Sequence, residues 1–391
     1  MNSITQYGWV RGEEIYTFAP PEEGGMPNFP GHFYVGNAAE RKEHQRIAER
    51  SGRNGFYSVD ATKRMLEIFD ELNTQLIHLH NIHAFSFNLP LLLDYINDRK
   101  LPVVWTLHGC WPFTGKCVHF TIAKCGKWEQ EEGCRDCPQL NIWPWSLETD
   151  NSSFMYQWKK EHFCRIQDMT IVAPSHWMGD LARRSFLGKY PVEVIHNGIN
   201  TWRFCPTESD FREKYHLQDK IILLGVAAGW GYRKGFDTMC RLSERLDSRY
   251  QVVIVGKTDG SGDPVPDSLL VLPYEYRPVE LAKIFTAADF FINPTREENY
   301  PTVNMEALAC GTPVITYKTG GSPEIPDESC GRGVPCDDLE ELIRVIEEES
   351  QSRRLTKEAC LKRAKQFGQD AMSEAYLNLY RKMLEMTSRN T

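Results

Sequence analysis

The sequence predicts an α/β fold made of two Rossmann-like domains. Short apolar, β-prone runs alternate along the chain with amphipathic helical stretches, and several of these runs end in loops that contain glycine. This alternation is typical of parallel sheets that are covered by helices. A chain of 391 residues is also long enough for two such domains, each with its own hydrophobic core.

Bulk composition narrows the function classes before any motif is considered. The net charge of −8 argues against a nucleic-acid-binding protein. No apolar run approaches the roughly 20 residues that a membrane-spanning helix needs, and the first residues show no secretion signal. The 12 cysteines are therefore expected to be mostly reduced thiols in a cytoplasmic protein. A basic stretch at 158–190 allows peripheral contact with an anionic membrane, although a solvated helix face is the favoured interpretation.

The first half of the chain is predicted to alternate between strands and helices. A strand is predicted within 8–20, and a loop rich in proline and glycine follows it. Helices are predicted at 38–52, 60–72, 88–98 and 151–165, and strands at 75–80, 101–110 and 192–195. A further strand begins at Met169, and Ser175 is predicted to cap the helix that follows it.

Histidines gather where two of these predicted strands end. His78, His80 and His83 surround the end of one strand, and His108 follows the next. The carboxyl ends of strands border the ligand crevice of a doubly wound sheet, so His108 is well placed for an active site. A structural histidine in the core is the alternative for His108. For the other three, a metal site, a structural role and a ligand contact all stay open.

A cysteine-rich insertion occupies residues 110–140. Cys134 and Cys137 have the C-x2-C spacing of half a zinc knuckle, and Cys117 and Cys125 are available as the other two ligands. A closed four-cysteine zinc site would brace the insertion rather than catalyse a reaction, because no coordination position stays open. A disulfide-capable pair and unliganded thiols are the alternatives.

A loop with two cations follows the first buried strand of the second half. That strand covers 221–228, and the sequence GWGYRKGFD then leads into a helix that begins near Phe236. Glycine-containing loops between a strand and a helix are phosphate sites by their geometry. Lys234 adds a point charge and Arg233 a two-pronged donor, so the loop is predicted to hold an anion. Two surface cations are the alternative.

The remaining elements complete two domains. They are a strand at 251–256, a strand and loop at 269–278, and helices at 279–289, 338–350, 354–367 and 370–388. The first domain is predicted to span 1–199 and the second 200–369, with a terminal helix at 370–391.

The stretch 289–324 is the most informative part of the sequence. It is predicted to form a strand, a polar loop, a short helix, a second strand and a glycine-rich loop. Thr302 is predicted to cap the short helix, whose amino terminus offers N–H groups to a phosphate. Glu298 in the loop and Glu306 in the helix are separated by seven residues. Both are able to accept hydrogen bonds from hydroxyls of a sugar and a ribose, and two solvated surface glutamates are the alternative.

The same stretch carries a family resemblance. The E-x7-E pair, followed by EALACGTPVI and GGSPE, resembles the donor-site signature of retaining glycosyltransferases of family 4, which adopt the GT-B fold. The resemblance implies two Rossmann-like domains that face a cleft, with the last helix packed back on the first domain. It also implies transfer of a sugar from a nucleotide-diphosphate donor to a hydroxyl acceptor, either a glycan or a lipid-linked molecule, with no cofactor needed for catalysis.

Individual residues receive roles from this resemblance. Glu298 is implied to contact the transferred sugar, Glu306 the ribose and Lys234 the diphosphate, while T-x-H matches the family's active-site histidine at His108. The predicted catalytic residues are therefore His108, Lys234 and Glu298. Further donor contacts are implied for Asn299, Tyr300, Pro301 and Thr302, and acceptor-side contacts for His80 and His83. The family's diphosphate-binding arginine would stand at position 229, which is glycine here, and Arg233 is predicted to replace it. Gly320 and Gly321 are predicted to let the backbone approach the donor closely.

The chain departs from the family pattern at its start. Family members open with an apolar strand, a glycine-rich loop and a helix, and this first unit is expected to be missing here. A nucleotide-sugar-binding protein without transferase activity is therefore one alternative, and a GT-B nucleotide-sugar epimerase is another. An interaction module built on a zinc-bound insertion is a third. The favoured prediction is a retaining, metal-independent hexosyltransferase that serves bacterial surface polysaccharide or glycoconjugate synthesis.

Overall fold

Parallel β-sheets flanked by helices form the structure, a computed structural model that describes residues 17–19, 32–83, 85–258, 265–352 and 354–389. The chain divides into two units. The first contains the chain up to Pro174, residues 178–194 and the segment from Tyr376 onward. The second contains Ser175–Trp177 and Ile195–Ala375. These parallel sheets confirm the predicted α/β class, while the predicted domain limits stay predictions.

The described residues of the first unit form two parallel sheets. Its strands are β1 (Thr17–Ala19), β2 (His32–Tyr34), β3 (Ile77–Leu79), β4 (Val103–Thr106), β5 (Met169–Ala173) and β6 (Val192–Val194). Strands β1 and β2 pair with each other, and the larger sheet has the order β3-β4-β5-β6. Every residue of β4 and β5 is buried, as expected for central strands covered on both faces. Most of the strand predicted within 8–20, and the loop after it, lie outside the described residues.

Five helices accompany these strands along the chain. They are α1 (Ala38–Ser51), α2 (Val59–Glu71), α3 (Leu89–Arg99), α4 (Ser152–Phe163) and α5 (His176–Arg184). Helix α1 begins with a capping box, in which the Asn37 side chain accepts the N–H of Glu40 and the Glu40 carboxylate accepts the N–H of Asn37. The Asn88 side chain caps α3 by accepting the N–H of Leu91. The five helices predicted in this half, including the one after Ser175, are confirmed.

The cysteine-rich insertion has its own small aromatic core. Its described residues form two 3₁₀ turns, Trp111–Phe113 and Lys127–Glu129. The ring of Trp128 packs 5.0 Å from that of Phe113 and 5.2 Å from that of Phe120. Trp111, Phe113 and Trp128 are all buried, so these aromatic side chains stabilise the insertion instead of lining its surface.

In the second unit, the described part of the chain forms a six-stranded parallel sheet. Its strands are β7 (Ile221–Trp230), β8 (Tyr250–Thr258), β9 (Leu269–Leu272), β10 (Phe290–Asn293), β11 (Val314–Tyr317) and β12 (Gly331–Val334). The helices that precede, connect or follow them are α6 (Phe211–Lys214), α7 (Phe236–Arg245), α8 (Pro278–Ala287), α9 (Thr302–Ala309), α10 (Leu339–Ser352), α11 (Lys357–Ala364) and α12 (Gln369–Arg389). The strand order is β12-β11-β10-β7-β8-β9, which makes β7 and β10 neighbours.

Two local predictions were wrong in this part of the chain. Strand β7 continues to Trp230, two residues beyond its predicted end, because the buried indole of Trp230 anchors it by donating to Val255 O at 3.0 Å. Pro301, not Thr302, occupies the N-cap position of α9. The Ser175 hydroxyl donates to Asn299 Oδ1 at 2.8 Å, and its predicted role as the cap of α5 stays a prediction.

Helix α12 contributes to the first unit through its later residues. Tyr380 shares a 2.6 Å hydrogen bond with His78 Nδ1, and Tyr376 shares one of 2.9 Å with the Thr106 hydroxyl. His78 Nε2 and the Thr106 hydroxyl are 2.8 Å apart, so the four side chains form one polar chain at the ends of β3 and β4. Among the helices of the described ranges, none combines the length and the apolar character that crossing a bilayer requires.

Candidate functional site

The adjacency of β7 and β10 brings the predicted catalytic cation and carboxylate together. Because the two strands are parallel neighbours, the loops at their carboxyl ends lie side by side. Lys234 stands in the loop after β7 and Glu298 in the loop after β10. Lys234 Nζ lies 2.7 Å from Glu298 Oε2, and the two side chains are only 23% and 19% exposed. Two residues 64 positions apart therefore form one partly buried ion pair.

Two glycines allow the backbone contacts that hold this pair. Gly235 has a φ of +76°, and a Cβ there would lie 2.4 Å from Pro294 O. Gly320 has a φ of +55°, and a Cβ there would lie 1.7 Å from Glu298 O. Both positions need glycine for conformation and for space. Gly320 was predicted to let a ligand approach; in the structure it lets the Glu298 backbone approach.

Hydrogen bonds fix the loop around Glu298 on several sides. Glu298 Oε1 accepts the N–H of Asn299 at 3.0 Å, and Asn299 O accepts the N–H of Gly321 at 2.7 Å. Arg233 Nη1 donates to Glu297 O at 3.0 Å, so its guanidinium contacts the same loop. Glu298, Asn299 and Gly321 are thus linked by short hydrogen bonds, and Arg233 contacts the same loop through Glu297. Their contact with a donor stays a prediction.

The remaining predicted donor residues lead into helix α9. The buried ring of Tyr300 stacks on His196, with centroids 4.8 Å apart and 11° between the planes. Pro301 has no side-chain acceptor and caps none of the first N–H groups of α9. The amino end of α9, beginning at Thr302, therefore presents N–H groups without a capping side chain four residues after Glu298.

Glu306 lies one turn into α9 and has a perturbed carboxyl group. Burial raises its pKa to about 7, although a hydrogen bond with the Thr302 side chain acts in the opposite direction. A carboxyl group with this pKa changes its charge near neutral pH. Glu306 is the predicted ribose contact, and perturbed carboxyl groups of this kind are concentrated in functional sites.

The raised pKa of Glu306 predicts a pH dependence of stability. A folded pKa of about 7, above the ordinary 4.5, means that the folded chain binds more protons than the unfolded chain between these values. Stability is therefore expected to fall as pH rises from about 4.5 to 7. In Glu306→Gln this loss disappears, so the variant should be about 1–3 kcal/mol more stable than wild type at pH 8 and similar to it near pH 4.5.

Urea unfolding at pH 4.5 and pH 8 measures this effect, with Glu340→Gln as the control. Glu340 is exposed and paired with Arg245, so its removal should not reproduce the difference between the two pH values. A Glu306→Gln variant that loses as much stability as wild type over this range would contradict the prediction.

The first unit holds a separate cluster of histidines. His80 Nδ1 and His108 Nε2 are 2.9 Å apart, and their rings stack with 17° between the planes. Burial lowers the pKa of His108 to about 4, so this ring is neutral at pH 7. His83 packs instead between the rings of Trp111 and Trp143, each 5.3 Å away. The structure therefore brings His80 and His108 together and gives His83 an aromatic environment.

The thiols of the insertion lie near one another without forming a metal-binding group. Cys134 Sγ accepts the N–H of Gly115 at 3.1 Å, and Cys117 Sγ accepts from the Gln139 side chain at 3.2 Å. The thiol of Cys117 also shares a hydrogen bond with that of Cys137. Throughout the described ranges, no group of three or more His, Cys, Asp or Glu side chains is arranged to hold a metal ion. The zinc ligands Cys117, Cys125, Cys134 and Cys137 stay a prediction.

Metal analysis of the purified chain tests the zinc prediction. One zinc per chain, lost in Cys134→Ser and retained in the control Cys164→Ser, would support it, since Cys164 lies outside the insertion. Thiol counting and intact mass separate the alternatives, because a disulfide removes two thiols and two hydrogens. A metal-free chain with all its cysteines titratable would show that the thiols are unliganded.

Sequence reasoning missed one residue of the second unit, Arg296. Its side chain is 6% exposed and is paired with Asp237 and Asp337. The sequence shows an arginine two residues before a predicted catalytic carboxylate, but it does not show that this arginine is buried. Its two partners are not evident from the sequence either, because they are distant in sequence and follow other strands.

Two family models match the chain. The model described as Glycosyltransferase Family 4 matches residues 11–203, and the model described as Glycosyl transferases group 1 matches residues 218–349. The second match contains the Lys234–Glu298 pair and Glu306. Together the two matches cover most of the sequence.

Known proteins with similar sequences are also glycosyltransferases. The colanic acid biosynthesis glycosyl transferase WcaC of Escherichia coli K12 is 26% identical over 324 residues, which cover 78% of this chain and 76% of WcaC. The D-inositol 3-phosphate glycosyltransferase of Streptomyces scabiei is 30% identical over 242 residues, 55% of this chain and 54% of that protein. The corresponding enzyme of Mycobacteroides abscessus is 29% identical over 172 residues, 40% of this chain and 38% of its own length.

Solved structures share the fold at low sequence identity. Sucrose-phosphate synthase of Thermosynechococcus elongatus superimposes with a TM-score of 0.69 at 16% identity, over 96% of this chain and 90% of that one. Anabaena HepE in complex with UDP gives a TM-score of 0.63 at 13% identity, over 90% of this chain and 91% of HepE. These likenesses confirm the predicted GT-B fold class.

Proposed function

Because this chain belongs to the glycosyltransferases of family 4, we propose that it transfers a hexose from a nucleoside-diphosphate sugar to a hydroxyl acceptor, with retention at the anomeric carbon. The observation that carries the proposal is the Lys234–Glu298 ion pair of 2.7 Å, formed where two loops meet at the carboxyl ends of β7 and β10. A cation for the diphosphate and an acceptor for the sugar hydroxyls are the two groups that such a donor requires.

The diphosphate is assigned to Lys234, Arg233 and the amino end of α9. The leaving diphosphate gains negative charge in the transition state, and preorganised cations and N–H groups stabilise that charge. Lys234 gives up its contact with Glu298 when the diphosphate arrives. Because these groups supply positive charge, the proposal requires no catalytic metal and no other cofactor.

The sugar and the ribose are assigned to the two glutamates. Glu298, freed from Lys234, accepts hydrogen bonds from hydroxyls of the transferred sugar. Glu306 in its ionised form accepts from the ribose hydroxyls, which is why donor binding should strengthen as pH rises through about 7. UDP is the proposed nucleotide, since the solved structures of HepE contain UDP and UDP-glucose.

The acceptor side is assigned to the first unit. His80 and His108 form the hydrogen-bonded pair described above, and His83 is proposed to contact the acceptor with them. A role in surface polysaccharide synthesis is proposed from the similarity to WcaC, whose name places it in colanic acid biosynthesis. The same proposal includes a cytoplasmic location, with peripheral membrane contact if the acceptor is lipid-linked.

A panel of nucleotide sugars tests the proposal and separates it from its alternatives. Thermal stabilisation identifies the donor, and an assay with candidate hydroxyl acceptors measures release of UDP and the anomer formed. Acceptor-dependent release with retention supports the proposal. Binding without turnover indicates a binding protein. Acceptor-independent release of nucleotide with an epimerised sugar indicates an epimerase, and inversion at the anomeric carbon refutes the stereochemical part.

A further inference from the structure

The side chain of Arg296 is buried near the Lys234–Glu298 pair, and all its N–H groups are hydrogen-bonded. It follows β10 and stands two residues before Glu298 in the sequence. An arginine has five N–H donors in a planar fork, and all five have acceptors here. Nε donates to Asp337 Oδ1 at 2.6 Å, Nη1 to Tyr232 O and to Asp237 Oδ1, and Nη2 to Asp237 Oδ2 at 2.7 Å and to Thr238 Oγ1 at 3.4 Å.

These contacts join the two loops that carry the ion pair. The N–H of Arg296 donates to Arg233 O at 2.9 Å, and Arg233 Nη1 donates back to Glu297 O at 3.0 Å. The Arg296 guanidinium also lies 4.0 Å from the centroid of the Tyr232 ring. The loop with Lys234 is therefore attached to the loop with Glu298 through the side chains of Arg296 and Arg233 and through three backbone carbonyls.

We propose that Arg296 is a positioning residue that sets the geometry of Lys234 relative to Glu298. The inference rests on the proposed function, because that function assigns catalytic roles to Lys234 and Glu298. Arg296 itself contacts neither reacting group. It acts through Tyr232 and Asp237, which flank Lys234 in the sequence, and through its own position next to Glu298.

Charge and shape explain why this position requires arginine. A guanidinium that is 6% exposed is stable only when its charge is paired, and two carboxylates pair with it. Asp337 holds its carboxylate there from a left-handed backbone conformation with a φ of +65°. Lysine has three N–H donors on one nitrogen. It is therefore unable to donate to Asp237, Asp337 and Tyr232 O at the same time, as the planar guanidinium does.

Arg212 provides a matched control at the opposite ends of the same two strands. Its Nη2 donates to Asp289 Oδ2 at 2.7 Å, and its Nε to Ala287 O at 3.0 Å. Asp289 Oδ2 also accepts the N–H of Ile222 at the start of β7. Arg212 therefore links the amino ends of β7 and β10 as Arg296 links the loops at their carboxyl ends. Both substitutions remove a multidentate arginine, but only one affects the ion pair.

The experiment compares Arg296→Lys with Arg212→Lys in the full chain. Both variants are expected to lose stability in urea unfolding. Only Arg296→Lys is expected to lower kcat/KM for the UDP-sugar, by about 30- to 100-fold and mainly in kcat, because Lys234 is still present but misplaced. The single variant Asp337→Asn keeps a side-chain oxygen that accepts from Arg296 Nε. Its kcat/KM should therefore lie much closer to that of wild type than to that of Arg296→Lys.

Amide hydrogen exchange tests the same inference in the absence of substrate. In Arg296→Lys the amides of 231–236 and 295–299 are expected to exchange at least 10-fold faster than in wild type, while Arg212→Lys leaves them unchanged. Unchanged exchange in Arg296→Lys, or a kcat/KM within threefold of that of Arg212→Lys, overturns the inference. Faster exchange in a protein whose wild type turns over no nucleotide sugar supports the positioning role and refutes the proposed function instead.

Discussion

Replacing Lys234 by methionine is expected to lower kcat/KM for the nucleotide sugar about 10³-fold. Removing one preorganised group that stabilises developing charge typically costs a factor of 10² to 10³, and a full cation on a leaving diphosphate lies at the upper end of this range. The substitution also leaves the Glu298 carboxylate without its partner in a site where it is 19% exposed. That carboxylate then repels the diphosphate, so UDP affinity should fall as well.

Lys220→Met is the control for this variant. Lys220 precedes β7 at the other end of the strand, where its exposed Nζ donates to the carbonyl of Ser248. Steady-state kinetics and calorimetric UDP titration should give nearly wild-type values for it. A Lys234→Met enzyme with kcat/KM within tenfold of wild type would contradict the diphosphate role.

Glu298→Gln is expected to separate binding from turnover. The substitution removes a negative charge beside the diphosphate and frees Lys234, so UDP should bind at least as tightly as to wild type and up to about tenfold more tightly. The amide accepts sugar hydroxyls less strongly than the carboxylate does, so kcat should fall about 10²- to 10³-fold. This opposite movement of affinity and rate distinguishes a sugar contact from a merely structural ion pair.

Calorimetric titration with UDP and single-turnover kinetics with the UDP-sugar measure the two effects. Glu340→Gln again serves as the control, since it breaks an exposed ion pair of the same unit with Arg245. Weaker UDP binding in Glu298→Gln with an unchanged rate would show that Glu298 only holds Lys234 in place.

Much of the second unit was predictable because its signals are local. The strand, loop, helix and strand of 289–324 follow from apolar runs and from the glycine and proline residues that separate them. The end of β7 was predicted wrongly because a tertiary contact decides it. Trp230 extends the strand because its indole donates to Val255 O, which is 25 positions away in the sequence.

In the candidate site, sequence motifs identified the residues but did not predict their contacts. Lys234, Glu298 and Glu306 were identified as site residues, but the 2.7 Å contact between the first two depends on β7 and β10 being neighbours, which no local pattern reveals. Arg296 was missed for a related reason. Its partners Asp237 and Asp337 are 59 and 41 positions away, and only the folded sheet brings them to it.

The membership of Tyr376 and Tyr380 in the first unit has a consequence for biosynthesis. A nascent polypeptide leaves the ribosome in order, so residues 195–375 are synthesised before these two tyrosines emerge. Until then, Thr106 and His78 lack the phenol groups that complete their hydrogen bonds. The first unit therefore finishes folding only after translation has passed through the second, and a ribosome that stalls within α12 leaves both strand ends open to chaperones and proteases.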